Sequence, residues 1–560
     1  MYYIGFLDFA PGEIGYHVKG EMGGLWLHPI RILKNIWFEE AGKKIQPLSC
    51  TLTPYSVQAD FGHLKCLISF KTSRELRIET NTDNPGKIRL KLDISPASVW
   101  LSNNLPVLSI SGRIVRARSA FDGLPVGWSM IFSALPDHRD GNILDFSMDG
   151  NFHVHIKGSN TSDPGHDLSL NTLYPKIFSA NRLICDNRSV SEVYGIAKMN
   201  LIQLMSYSPV AGYGVTAGHP DFPWYFGIDT LLSLRGMIMA GMHDEVKYSL
   251  ATLMKHSEGG RIPHEIITSG KIYNAGDLEE TAIFPWMFNE YVQWSGDFQF
   301  ARNYAQNIAL AVNYVLDSGM KGRGIMEDAE AGTGIDVDTV SFFIRSLDAV
   351  LELEPLIRDA VGGFDFHRIG EIRRDLARTV TEDFWIEERN TFANRIVDGV
   401  PMDKGFWTSV VPFYVGIASE SQYEEFTAAD GGIMEIAGDG GIRVGSQGDI
   451  MPMNNGMMAM GAANYRDYKT SQKYFDILTS SMGSHSPLAF PEIVNNPEGC
   501  YLQAWSAAFY AECLMTGLLG ISQHGGRLSW KPELSSGILG KKIRVQNFRF
   551  RNETVSLEYP

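Results

Sequence analysis

Cysteine is scarce in this chain. Its five residues in 560, Cys50, Cys66, Cys185, Cys500 and Cys513, are odd in number, widely spread and without a CxxC pair. That argues against a disulfide framework and a cysteine-built zinc site, leaving ordinary buried thiols. Long apolar runs are missing too. No stretch of about 18 uninterrupted apolar residues occurs, so no spanning helix is expected. The opening MYYIGFLDFAPGEIGYH has neither a basic n-region nor a sustained apolar h-region, and a cytoplasmic location is the expectation. Basic charge is in deficit: 49 lysines and arginines against 64 acids give a formal net charge of −15. This disfavours nucleic acid or an anionic membrane as a partner and suits a neutral substrate. GxSxG, a Walker loop, a dinucleotide fingerprint and HExxH or HxxxH are all absent, so serine hydrolysis, ATP or NAD chemistry and a zinc site lose support. No cofactor is expected.

What is present reads as a globular protein of several parts, 44% hydrophobic and 20% charged, with length for three to four ordinary domains or fewer large ones. Residues 1–174 are β-like. CLISFKT (66–72), KIRLKLDI (87–94), PVLSISGRIVRA (106–117) and FHVHIKG (152–158) alternate apolar and polar residues between Gly, Pro, Asn and Asp clusters, which predicts a β-sandwich. After a linker at 175–189 the period turns helical. Segments at roughly 190–207, 227–242, 244–256, 278–295, 298–320, 336–359, 364–385, 404–418, 420–429, 451–464, 467–482 and 500–519 carry helical spacing. Twelve helices over 190–525 suit six hairpins closed into a double-layered (α/α)6 toroid barrel. Residues 526–560 return to strand patterns as a β-rich tail, either a small unit or an addition to the sandwich. The Met-rich run 451–465 reads as packing, with capping the expected work of Asn454 and Asn455.

The unusual residues fall on loops before helices, where a rigid scaffold carries its chemistry. In the 487–519 stretch, Glu492 sits in a Pro-bounded loop, followed by the Gly499-Cys500 turn, Gln503, Trp505 and a segment apolar on nearly every face. Such a helix is buried, so its first turn forms the floor of a carbohydrate pocket or the carboxylate merely caps it. AGHPDFPWYFGIDTLLSLRG (217–236) places Trp224, Tyr225 and Phe226 before Asp229. Aromatic faces pack on sugar C–H surfaces while carboxylates take hydrogen bonds from vicinal hydroxyls; the alternative is core packing with Asp229 on the helix dipole. GGRIPHEIITSGKIYNAGDLEETAIFPW (259–286) gathers His264, Glu265, Tyr273, Asn274, Asp277, Glu279 and Glu280, either for substrate contacts or for bonds among themselves. GRGIMEDAEAGTGIDVDTVSFFIRS (322–346) carries Glu327, Asp328 and Glu330 before a helix that begins with Asp336 and Asp338. A carboxylate here facing Glu492 would complete the acid and base of glycoside cleavage; Glu330 reads as solvated.

PEGCYLQAWSAAFYAECL resembles the GC-x-x-QAWS signature of the amylo-α-1,6-glucosidase domain of glycogen debranching enzymes. AGHPDFPWYFGIDTLLSLRG is similar to that family's AG-x-P-x-F-x-x-x-F-G-R-D-T-x-x-x-L-x-G. A looser likeness runs from about 190 to 525. The resemblance implies an inverting (α/α)6 glucosidase related to glucoamylases and trehalases, preceded by a β-sandwich, with Glu492 as the base that activates water. It puts the acid in the 325–330 loop, where Glu327, with Asp328 close behind, stands near the family's acidic position. It makes Asp229 a sugar-binding aspartate; from the loop readings, Trp224, Tyr225, His264, Glu265, Asp277, Glu280, Gln503 and Trp505 are the further expected substrate contacts. The chain departs at Ile228, where the family carries arginine, which leaves the sugar open. Residues 1–174 are too few for a (β/α)8 barrel of about 250 residues, so a stand-alone glucosidase acting on an oligosaccharide or polysaccharide is expected. An enzyme for trehalose or another terminal sugar, a glycoside phosphorylase and a non-catalytic carbohydrate-binding barrel are the rival readings. The oligomeric state is left open.

Overall fold

The computed structural model describes residues 2–4, 23–53, 55–72, 74–98, 104–160, 170–321, 325–326, 334–445, 448–496, 499–532 and 536–559. They form two compact units: Met1–Lys176 with Tyr207–Val210, and Ile177–Ser206 with Ala211–Pro560.

In the first unit the period-two segments pair as antiparallel sheets. The larger runs Val107–Ser111, Ile114–Phe121, Leu124–Phe132, Asn151–Asn160, Glu75–Thr82, Leu64–Thr72, Ser56–Asp60 and Ser49–Thr53; the smaller runs His138–Asp140, Ile143–Ser147, Ile88–Asp93, Asn35–Glu40 and Lys43–Ile45. Alternation decides which face is covered. Ile88, Leu90 and Leu92 are buried while Arg89 and Lys91 between them reach Asp145 on the next strand. Phe146 of the smaller sheet packs 5.0 Å from Phe132 and 4.9 Å from Phe152 of the larger, so the apolar faces share one core.

In the second unit, beside the short helices Phe298–Asn303, Ile433–Ile436 and Ser536–Leu539, twelve helical segments fall on the stretches read as helical from the sequence. They are α1 Arg188–Leu204, α2 Gly227–Met239, α3 His243–Lys255, α4 Glu279–Ser295, α5 Ala305–Gly319, α6 Val337–Ile357, α7 Phe366–Arg378, α8 Val411–Tyr414, α9 Glu420–Thr427, α10 Pro452–Asn464, α11 Tyr468–Ser481 and α12 Ala504–Glu512. Even and odd members differ in kind. In α10 every residue from Pro452 to Ala462 is buried, whereas α7 buries only Phe366, Ile369 and Leu376. A helix apolar all round must be covered on all sides, and the even helices pack on one another in sequence: α2 on α4, α4 on α6, α6 on α8, α8 on α10, α10 on α12, and α12 on α2. The odd α1, α3, α5, α7 and α11 lie against α12, α2, α4, α6 and α10 respectively.

The contact between α2 and α12 needs a missing side chain. A Cβ on Gly236 would stand 2.0 Å from the carbonyl oxygen of Ala508. Gly236→Ala is therefore expected to cost about 1–3 kcal/mol as the helices are forced apart; a denaturant midpoint equal to that of the parent protein would contradict this.

Several boundaries differ from the sequence reading. The helix expected over 404–418 is reduced to a 3-10 turn, Trp407–Val410, and the four residues Val411–Tyr414. The helix expected over 298–320 breaks at Tyr304, giving Phe298–Asn303 and α5, where the Phe300 and Tyr304 rings meet at a tilt with centroids 4.7 Å apart. The helix expected from 500 starts at 504, because Leu502–Gln503 pairs as a strand with Gly218–His219. Arg182–Cys185, inside the expected linker, pairs with Ile543–Phe550, which pairs with Glu553–Tyr559. Tail and linker thus make one small sheet in the second unit, with Phe548 and Phe550 against Trp294 of α4. Among the described residues, no helix is long and apolar enough to cross a membrane.

Candidate active site

The loops entering the even helices are stitched together through their backbones. Gly227 N–H donates to the His264 carbonyl before α4, Ala504 N–H to Ala217 before α2, Val494 N–H to Ile450 before α10, and Trp407 N–H to Val444. This web gathers helix first turns, which favour negative charge, and Asp229, Glu280 and Glu492 come from the stretches that it joins.

Asp229 lies in the first turn of α2, only 5% exposed, and its Oδ1 accepts a hydrogen bond of 2.7 Å from Nε2 of Gln503 at the N-cap of α12. Burial pushes its carboxyl up to about 8, with His264 opposing the rise while Glu492 and Glu280 add to it. His264 Nδ1 lies 2.5 Å from Glu280 Oε1. Burial disfavours the imidazolium, yet Glu280, Asp229 and Glu265 outweigh it and hold the ring's pKa at about 9. Asp277 donates its N–H to the other Glu280 oxygen at 3.2 Å.

Glu492 is fixed by its own loop. Its N–H donates to the Cys500 carbonyl at 2.8 Å, and Cys500 N–H returns a bond of 2.9 Å to Oε2. Burial raises its pKa, the hydrogen bonds from Cys500 work against that, and Asp221 and Asp449 add to it. A carboxylate so placed has one oxygen held by the protein, and burial favours its protonated form.

The aromatic residues divide by role. Trp224 is fully buried and donates from Nε1 to Glu265 Oε2 at 3.0 Å, with its ring stacked 6.1 Å from Phe226; Phe226 meets His264 edge to face at 5.1 Å. Tyr225 directs its hydroxyl to the carbonyls of Ser206 and Gly212. Trp224 and Tyr225 thus support the floor beneath the acids. Trp505 is half-buried, and neither its indole N–H nor Gln503 Oε1 has a partner among the described residues.

Glu327 and Asp328 lie outside the described residues, as does Glu330. Downstream of them, Asp336 forms a two-pronged pair with Arg395 at 2.6 and 2.9 Å, and burial beside it lifts the Asp338 carboxyl to about 7. The capping expected of Asn454 and Asn455 is replaced by other contacts. Asn455 accepts from Ile442 N–H and donates to Met451, and the Asn454 amide is buried without a partner among the described residues. Sequence reasoning passed over Asp221, 2% exposed beside the Glu492 loop, and treated Cys500 as an ordinary thiol. An acid between Pro220 and Phe222 was the available signal for the former. No cluster of His, Cys, Asp and Glu among the described residues could hold a metal ion.

The raised pKa values of His264 and Asp229 make stability depend on pH. A group whose pKa is higher folded than unfolded stabilises fully below its unfolded value, and that contribution is lost as pH rises through the folded one. For His264 the window runs from 6.5 to about 9, and for Asp229 from 3.8 to about 8. Stability is expected to fall between pH 6.5 and about 9, and His264→Gln to flatten that slope. Denaturant midpoints across the window check it; an unchanged slope would count against the imidazolium.

No family model matches the chain, and no curated protein matches it in sequence. Solved structures match in fold. A bacterial glucoamylase complexed with acarbose superposes with a TM-score of 0.60 at 13% identity, over 87% of this chain and 88% of its own. A putative kojibiose phosphorylase from human microbiome gives 0.60 at 10% identity, over 95% and 84%. The chain shares the fold of these two structures. A sialidase gives 0.55 at 11% identity over 90% of this chain, which spans 59% of the sialidase's length. At these identities the likeness is one of fold.

Proposed function

We propose that this chain is an inverting glycoside hydrolase that removes a neutral terminal sugar, α-linked glucose first among the candidates, from an oligosaccharide or polysaccharide. The observation that carries the reading is Glu492, pinned through one oxygen and raised in pKa, sharing electrostatic reach with Asp229, which in turn holds Gln503 and faces His264 and Glu280. In this account Glu492 takes a proton from water as that water attacks the anomeric carbon. Glu327, with Asp328 the second candidate, gives a proton to the departing glycosidic oxygen from the other face, at the roughly 6.5–9.5 Å separation that inversion requires. Asp229, Gln503, His264 and Trp505 hold the ring. The even helices close as the inner layer of an (α/α)6 barrel spanning 190–525, with the 1–174 sandwich before it and the 526–560 tail after it.

Electrostatics favour water over phosphate as the acceptor, and a neutral sugar over an acidic one. Among the described residues no lysine or arginine forms an ion pair with Asp229, Glu280 or Glu492, and the only cation bonded to one of them is the His264 imidazolium on Glu280. A phosphate or a sugar carboxylate would find no lysine or arginine paired to these acids to neutralise it.

Maltose, isomaltose, panose, trehalose, glycogen limit dextrin and a glucuronide, offered without phosphate, test this. Release from at least one glucoside and none from the glucuronide is expected. Release that requires phosphate would replace hydrolysis with phosphorolysis, and silence under both conditions would contradict catalysis on glucosides.

A further inference from the structure

In the second unit a cavity of about 220 Å³ opens between α5 and the start of α7. It lies past the end of α6, a 21-residue helix about 30 Å long, whereas Asp229 and Glu280 sit in the first turns of α2 and α4. The floor is apolar: Ala309, Val361 and Ile369 line it and are each at most 5% exposed. The wall is a tight turn. Phe364 N–H donates to the Val361 carbonyl at 3.1 Å, and Gly363, with φ +84°, supplies the left-handed residue that such a turn takes at its third position. The turn puts Phe364 on the cavity, where Phe366 braces its ring edge to face at 5.0 Å.

The rim is polar. Gln306 and Asn313, on the face of α5 that carries Ala309, stand across from Asp365 and Arg368. Asp365 Oδ1 takes the Arg368 N–H at 3.1 Å as the cap of α7, but the Arg368 guanidinium and the two amides bond to nothing among the described residues. One carboxylate balances one guanidinium, which suits a neutral ligand. The guanidinium and amide N–H groups donate while the carboxylate and amide oxygens accept, so a ring with hydroxyls at its edge and an apolar face on the phenyl would meet them all. The volume, below the roughly 300–1,000 Å³ of pockets for drug-sized ligands, suits one such ring. We propose that this cavity is a second sugar site, which takes one neutral pyranose unit of a free sugar or a polysaccharide at the far end of α6 from its first turn. The site rests on its own residues; only its effect on turnover rests on the hydrolase reading.

The experiment is NMR of the full chain, labelled at Ile, Leu and Val methyls and Trp indoles and carrying Glu492→Gln so that sugars persist, titrated with glucose, maltose and glycogen limit dextrin. The Ile369 and Val361 methyl signals, assigned with Ile369→Val and Val361→Ala, are expected to shift and saturate. Gly362→Trp plugs the cavity from its lining, at a position where an added Cβ meets nothing within 4 Å and the backbone is not left-handed. It should abolish those shifts and leave other methyl signals in place, and Phe364→Ala should weaken binding about 10-fold or more. With Glu492 intact, Gly362→Trp should raise KM for limit dextrin several-fold and leave KM for maltose unchanged where the polysaccharide is the ligand; cavity shifts with glucose and no change in either KM identify the free sugar. Cavity methyls that stay still with all three sugars, or shifts that survive Gly362→Trp, overturn the second site, and a response of the Trp505 indole alone would spare the hydrolase reading. Cavity shifts lost in Gly362→Trp, in a protein whose parent releases no sugar, would refute hydrolysis and leave the site in place.

Discussion

Glu492→Gln is expected to lower kcat by about 10²- to 10⁴-fold, the range that one positioned proton-transfer group contributes. The substitution is nearly isosteric, and its effect on the loop should be small. The backbone bond from Glu492 N–H to the Cys500 carbonyl does not involve the side chain, and the glutamine oxygen can still accept from Cys500 N–H where Oε2 does now. What is lost is the capacity to bind a proton. KM should change little, because the proposed reading gives sugar binding chiefly to Asp229, Gln503, His264 and Trp505, and the circular dichroism spectrum should match that of the parent. Near-normal kcat in this variant would remove Glu492 from the mechanism.

The second large effect concerns stability and lies away from the acids. Arg235, on α2, forms a 2.6 Å ion pair with Glu512 of α12, whose side chain is wholly buried. Its guanidinium also packs 5.4 Å from the centre of Trp286 and 5.9 Å from that of Tyr414. Tyr414 donates to the same Glu512 oxygen at 3.3 Å, while the other Glu512 oxygen has no partner among the described residues. Burial raises the Glu512 pKa and Arg235 is the principal opposing influence, so the arginine is what makes a charge tolerable there. Arg235→Leu leaves that carboxylate unpaired and should cost about 3–5 kcal/mol, whereas replacing both partners together by Leu and Met should recover most of the loss, since the cost comes from an uncompensated charge. Unfolding in urea followed by tryptophan fluorescence separates the cases. A single variant as stable as the parent, or a double variant no better than the single, would contradict the argument.

The even helices were legible because their sequences are apolar on every face, a pattern that leaves no choice but enclosure; the strands of the first unit were legible from period two. What local pattern could not supply was partnership across distance. Nothing near Arg182–Cys185 announces that Ile543–Phe550 will pair with it. The helix start moved from 500 to 504 because Leu502 and Gln503 are recruited by Gly218 and His219, nearly three hundred residues earlier. In the site, Asp229, His264, Glu280, Gln503 and Glu492 could each be picked out as a polar residue before a buried helix, and the fold brings them into mutual reach. Trp224 and Tyr225 were legible as aromatics but not as supports, since their polar atoms are taken by Glu265, Ser206 and Gly212. Cys500 carried no signal of its own: its bearing on Glu492 depends on a loop closing over eight residues.

The central claim is that water is delivered to the sugar from the side of Glu492, opposite the departing group. The most direct measurement follows the anomeric proton signals by NMR during the first minutes of hydrolysis of an α-glucoside accepted in the panel. The account predicts that β-glucose appears first and the α anomer only as mutarotation proceeds. Initial release of α-glucose would mean retention, and would contradict direct displacement by a water that Glu492 activates.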